Sequence, residues 1–140
     1  MIARHVLVDH RISRDPKEPV NYPPFCCTLQ ALVDDRFLPV PANPYDLYIL
    51  HTEQEVLYVG KSVLRTRRHY VYSYVTERVH RHTVAASQVI DTFLMEHPDL
   101  WESITVTLLS SYSFHNRRTA ERDLVRALHP THNITYIGRR

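Results

Sequence analysis

A chain of 140 residues and 16.5 kDa has room for one packed domain with an appended arm and little room for two. Its 44% hydrophobic and 23% charged residues exclude wholesale disorder, and no apolar run approaches the roughly 20 residues of a membrane span. The formal charge of +2 hides an asymmetry: residues 61–82 carry six Lys/Arg against Glu77 alone, whereas residues 1–60 carry five against eight Asp/Glu. That basic segment also holds Tyr70, Tyr72 and Tyr74, a mixture suited to a phosphate backbone and its bases, or to a solvated basic helix. No apolar segment with a small-residue cleavage site follows Met1, so an intracellular, cytoplasmic protein is expected. Cys26 and Cys27 are adjacent and cannot build a disulfide framework. Ten histidines, including His80 and His82, come without an HExxH or a paired CxxC, so most are expected on the solvated surface.

Seven of nine prolines fall within residues 16–44, which predicts an irregular N-terminal arm over 1–44 and a compact domain over 45–140. Within the arm, residues 5–9 have the make-up of a short strand and residues 28–33 that of a strand or one helical turn. Leu47-Tyr48-Ile49-Leu50 and Val56-Leu57-Tyr58-Val59, separated by polar residues 51–55, predict a hairpin whose turn lacks glycine. Leu64, Val71 and Val75 recur at helical spacing and predict a helix over 63–76. A second helix is expected over 84–97, with Ala86, Ile90, Phe93 and Leu94 on one stripe and Pro98 closing it. Alternation of Ile104, Val106 and Leu108 predicts a third strand, and a last helix over 118–129 stops before Pro130. The expected fold is α+β: a small three-stranded, mostly antiparallel sheet flanked by helices.

Three positions carry chemistry. Glu121 falls within about 60° of Leu124, Val125 and Leu128 on its helix, near the middle of the apolar stripe. An ionised carboxylate there requires a partner or a metal, and a buried Glu–Arg pair satisfies the position as well as a metal does. On the first helix, Arg68 and Tyr72 share one shoulder of the apolar stripe at i, i+4, and Arg67 lies on the other shoulder. Gly60, one of only two glycines, stands where strand passes to helix, where it permits a positive φ or close approach to a ligand. Neither GxxxxGK[ST] nor GxGxxG occurs, which argues against nucleoside triphosphate chemistry.

Asp46-Leu47-Tyr48 and Tyr58-Val59-Gly60-Lys61 resemble the paired motifs that name the GIY-YIG endonucleases. The resemblance continues downstream. That family has an arginine ten residues after the second motif's tyrosine and a His or Tyr four further on, here Arg68 and Tyr72. It then has a glutamate on a helix and a Pro-x-x-Asn ending, matched by Glu121 and by Pro130-Thr131-His132-Asn133. The similarity spans 46–133; residues 1–45 match nothing in the family core. Asp-Leu replaces Gly-Ile in the first motif, and a one-residue slip would give Arg67 the role of Arg68.

The resemblance implies hydrolysis of DNA phosphodiesters to 5′-phosphate and 3′-hydroxyl ends with one Mg²⁺ or Mn²⁺ per site, held by Glu121, water and phosphate oxygens. Tyr48 would orient or deprotonate the attacking water, helped by the positive potential of Lys61, Arg68 and the metal. Tyr58 and Tyr72 would hydrogen-bond the phosphate or its water, Arg68 would neutralise phosphoryl charge, and Asn133 would steady Glu121 or the adjoining loop. Gly60, Arg65, Arg67, Arg78, Arg81 and Asn133 would line the substrate, with Arg78 and Arg81 acting by charge beyond the end of the helix. Duplex or branched DNA is the implied partner, with no membrane, for a monomer or a homodimer. The alternatives are a catalytically silent nucleic-acid-binding or interaction module on the same fold, and a basic RNA-binding αβ domain.

Overall fold

The computed structural model describes residues 21–35, 40, 44–62 and 71–133, with residues 71–74 described by their backbone alone. The strand expected over 5–9 lies outside the described residues, as do positions 63–70, where the first long helix was expected to start.

The hairpin forms as the spacing predicts, from β1 (Leu47–His51) and β2 (Val56–Lys61). An earlier strand, β0, spans Phe25–Thr28. The glycine-free turn is closed by Thr52: its N–H reaches the Glu55 carbonyl, and its hydroxyl accepts from the N–H groups of Gln54 and Glu55. β3 (Thr105–Leu109) pairs antiparallel with the other side of β1. Among the described residues the sheet has four strands rather than three. β0 comes from the proline-rich segment and pairs antiparallel with β3, giving the order β0-β3-β1-β2. A short helix, α1 (Leu29–Asp34), follows directly, its first turn capped by the Thr28 hydroxyl, and buries Leu29 and Leu32 fully. Residues 25–34 therefore belong to the packed unit and not to a separate arm. The prolines that suggested otherwise flank this strand–helix pair and do not enter it.

All five residues of β1 are buried because both faces of the sheet are covered. On one face, Tyr48, Leu50, Val106 and Leu108 join Leu29 and Leu32 of α1, Val75 and Val79 of α2 (Val71–Arg81), and Ile90 and Leu94 of α3 (Val89–Glu96). On the other, Leu47, Ile49, Val59 and Leu109 meet Ala120, Leu124, Val125 and Leu128 of α4 (Ala120–Leu128). α2 runs to Arg81 and not to 76, because Val75 and Val79 extend the apolar stripe and the basic last turn suits a helix C-terminus. α3 starts at Val89 and not at 84: Asp91 draws in the N–H groups of Ser87 and Gln88, and Ala86, expected on the apolar stripe, is exposed with φ 55°. α4 ends at His129 in the left-handed conformation, followed by Pro130. Among the described residues, no helix is long and apolar enough to cross a membrane.

β2 is the edge strand, and residues 131–133 run along its outer side. Thr131 and His132 donate their N–H groups to the carbonyls of Val56 and Leu57, and the Asn133 amide accepts from Val59 N–H and donates to its carbonyl. These contacts occupy edge groups of Val56, Leu57 and Val59.

Candidate active site at the edge of the sheet

Pairing of β1 with β2 places Tyr48 opposite Gly60. A Cβ at Gly60 would overlap Cζ and the hydroxyl oxygen of the Tyr48 ring, so the glycine is there to let the ring lie across its backbone. Gly60 lies within the strand, and this steric fit replaces the turn or ligand-contact role expected from the sequence. Leu50 pairs with Tyr58, which puts Tyr58 on the same face, its ring centroid 6.1 Å from that of Tyr48. The two motif tyrosines therefore form one cluster.

The next member is His82, just past the end of α2. Its ring centroid is 5.7 Å from that of Tyr48 and 5.0 Å from that of Tyr58. His82 Nε2 lies 2.6 Å from the Tyr48 hydroxyl, and its Nδ1 lies 2.6 Å from Asp91 Oδ1. The other Asp91 oxygen accepts from Ser87 N–H, Ser87 hydroxyl and Gln88 N–H at 3.0, 3.2 and 3.1 Å. The Tyr58 hydroxyl donates to Gln88 Oε1 at 3.1 Å, which ties the second tyrosine to the same loop.

Burial sets the charge states. It pushes the Asp91 carboxyl up, but the hydrogen bonds from His82, Ser87 and Gln88 outweigh it and hold the group below the ordinary carboxylate range. Burial pushes His82 down; the pull of Asp91 upward does not offset it, and Arg78 and Arg81 add to the depression. An ionised Asp91 can only accept, so Nδ1 of the neutral ring carries its proton and Nε2 accepts from Tyr48. Tyr48 is pushed strongly up, first by burial and then by Tyr58 and Glu121, against the opposing charge and hydrogen bond of Arg78. The phenol therefore stays protonated in the resting state, and its hydroxyl has a basic nitrogen at hydrogen-bond distance.

Arg78 is on α2 and its guanidinium acts directly on Tyr48, so it is not a distant phosphate contact beyond the helix. Arg81, exposed on the last turn of the same helix, joins Arg78, His82, Ala85, Ser87, Gln88 and Asp91 around an open pocket of about 90 Å³. Glu121 is half-buried on α4, and its charge raises both Tyr48 and Tyr58. Lys61 alternates onto the face opposite Gly60, is exposed, and acts on Asp46. Asn133 is 3% exposed and spends its amide on Val59, so it braces the strand that carries Tyr58 and does not line a substrate surface. Arg65, Arg67 and Arg68 and the side chain of Tyr72 lie outside the described residues.

Comparison with protein-family models, curated proteins and solved structures gave no match.

Sequence reasoning missed His82, Asp91 and the Ser87–Gln88 loop. Two of the histidines expected on the surface, His51 and His82, are buried, at 1% and 3% exposure. The signal lay in the spacing: His82 continues the Val75, Val79 stripe by one more step of three residues. Asp91, three residues after Gln88 and ahead of an apolar run, stands where a helix-capping carboxylate stands. Among the described residues, no group of three His, Cys, Asp or Glu is arranged to hold a metal ion. A hard cation that keeps most of its water needs fewer protein ligands, and half-buried Glu121, whose charge acts on both tyrosines, offers one oxygen ligand of that kind.

Proposed function

We propose that this chain is a metal-dependent DNA endonuclease of the GIY-YIG type, hydrolysing phosphodiester bonds to 5′-phosphate and 3′-hydroxyl ends. The observation that carries the proposal is the 2.6 Å contact of the Tyr48 hydroxyl with His82 Nε2, with Arg78 acting on the same oxygen and Glu121 felt by both tyrosines. Tyr48, Tyr58, the Arg78–His82 pair and Glu121 come from four separate stretches of the chain, and together could move a proton, balance phosphoryl charge and bind a hard cation.

The roles follow from chemistry. A Tyr48 that stays protonated is a poor base alone, but it can take a proton from water while passing its own to His82 Nε2. The water oxygen then bonds to phosphorus, the bond from phosphorus to the 3′ oxygen breaks, and that oxygen takes a proton from solvent. Arg78 offsets charge that grows on the phosphoryl oxygens, and Tyr58 hydrogen-bonds the water or phosphate network. Glu121 would hold a divalent cation, which would supply further positive charge at the scissile group. Arg78 and His82 keep the Arg-x-x-x-His spacing of the family pattern, twenty residues after Tyr58. This pair competes with Arg68 and Tyr72, and the contact with Tyr48 favours it. Arg81 and the pocket beside it would take a neighbouring phosphate.

One observation favours a catalytically silent nucleic-acid-binding module on the same fold: Tyr48 is 0% exposed in the free protein, as a purely structural tyrosine would be. Incubation of the purified protein with plasmid DNA and Mg²⁺, with and without chelator, separates the two. Chelator-sensitive nicking that is lost in Glu121→Gln, while DNA binding persists, supports the nuclease. Binding without any nicking supports the silent module.

A further inference from the structure

We propose that Asp91 is a positioning residue, whose carboxylate fixes the ring orientation and tautomer of His82 so that Nε2 is the bare nitrogen facing Tyr48. The inference rests on the nuclease reading above and adds to it the group that decides which way the proton chain runs.

The geometry has three parts. First, the carboxylate is held in place: Ser87 N–H, Ser87 hydroxyl and Gln88 N–H all bind Oδ2, leaving Oδ1 to His82 at 2.6 Å. Second, His82 and Asp91 are 3% and 1% exposed, so solvent does not compete for that contact. Third, the far nitrogen of the same ring is 2.6 Å from Tyr48, so the three groups form a chain, Tyr48 hydroxyl to Nε2 and Nδ1–H to carboxylate. Among the described residues, the charged and titratable groups facing this ring are Asp91 of α3, Arg78 and Arg81 of α2, Tyr48 of β1 and Tyr58 of β2. Asp91 is the only one of these able to compensate an imidazolium directly when the ring takes the Tyr48 proton. With the other tautomer, Nε2–H would point at the phenol oxygen, and Tyr48 would have nowhere to send its proton.

Asp91 also caps α3, so a loss of activity alone would not separate positioning from a structural role. Ring ¹⁵N spectroscopy does. In the wild-type protein near pH 7, His82 should show a protonated Nδ1 and a bare Nε2; a bare Nδ1 overturns the proposal without any activity measurement. In Asp91→Asn, whose amide can donate to Nδ1, the tautomer should shift toward Nε2–H. Single-turnover cleavage at saturating DNA should then fall by about 100-fold or more, with DNA affinity changed less than about threefold. An unchanged tautomer, or turnover within about threefold of wild type, overturns it. Should Asp91→Asn fail to fold, Ser87→Ala, which loses one of the three donors to Oδ2, should give a smaller shift in the same direction, and no shift there overturns the proposal. If the wild-type protein does not cut DNA, the nuclease reading fails while the tautomer result still decides whether Asp91 orders His82.

Discussion

Asp46 and Asp91 are both buried carboxylates, and each grips a serine through its N–H and its hydroxyl, yet the two do different things. Asp46 spends both oxygens on Ser111: Oδ1 takes the N–H at 2.7 Å and Oδ2 the hydroxyl at 2.6 Å, with Arg117 donating to that same hydroxyl. Asp91 gathers its backbone and serine contacts on one oxygen and leaves the other to a histidine. The consequence is visible in their acidities. Burial wins at Asp46 and pushes its carboxyl up, despite Ser111, Arg117 and Lys61, whereas at Asp91 the hydrogen bonds win. Asp46 staples the start of β1 to the segment after β3. A buried carboxylate with both oxygens satisfied locally holds structure; one that keeps an oxygen for an imidazole can hold a proton path.

The sharpest way to break that contrast is Asp46→Ala. It strands Ser111 N–H and hydroxyl in the interior and should cost about 3 kcal/mol or more in urea unfolding, with single-turnover cleavage by the folded fraction within about threefold of wild type. A selective loss of turnover in that variant would erase the distinction between the two carboxylates.

Arg78→Ala should lower turnover at saturating DNA by about 100-fold, near 2.7 kcal/mol. Arg81→Ala should chiefly weaken binding and reduce the salt slope by about one counterion. Equal behaviour of the two would mean that Arg78 acts by charge alone.

Acid should separate the carboxylates more gently. His51, His82 and His132 are each pushed down, first by burial, so below about pH 6.5 the unfolded chain takes up protons that the folded chain refuses, and stability falls. Asp91, with its lowered value, keeps its contribution above the ordinary carboxylate range and loses it as pH falls through the folded value. Asp46, with its raised value, has the opposite sign: its contribution is full in acid and is lost as pH rises through the folded value. Thermal melts between pH 7 and 4 should therefore show wild type losing stability on acidification and Asp46→Asn losing more. A stability that rises toward pH 5 in wild type would contradict the neutral His82.

The smallest effect belongs to the loop that feeds Asp91. Ala86 holds φ at 55°, a left-handed conformation that strains an alanine, so Ala86→Gly should stabilise by up to about 1 kcal/mol and leave the His82 contacts intact. A loss of stability would show that the alanine is not strained there.

Much of this molecule was legible in its sequence. The Tyr48 and Tyr58 strands, the β3 alternation and the α4 stripe carrying Glu121 all emerge from periodicity, because each buries a regular face. What escaped was set by contacts between distant residues. β0 is four residues long and borders a proline-rich stretch, so only its pairing with β3 makes it a strand. The need for Gly60 depends on which ring lies opposite it, and register is not written in one strand alone. Asn133 looked like a site residue because its position matched a motif; its amide in fact completes the edge of β2. His82 hid in a basic run, where composition speaks of solvent and only the helix phase speaks of burial.

The most direct test of the account is single-turnover cleavage of end-labelled duplex DNA in Mg²⁺ by wild type and by Tyr48→Phe. The substitution leaves the ring over Gly60 and removes only the hydroxyl that faces His82. The account predicts 5′-phosphate and 3′-hydroxyl products from wild type and a rate about 100-fold to 10,000-fold lower in Tyr48→Phe, with DNA affinity retained. Cleavage by Tyr48→Phe within about threefold of wild type, or no cleavage by wild type, would contradict it.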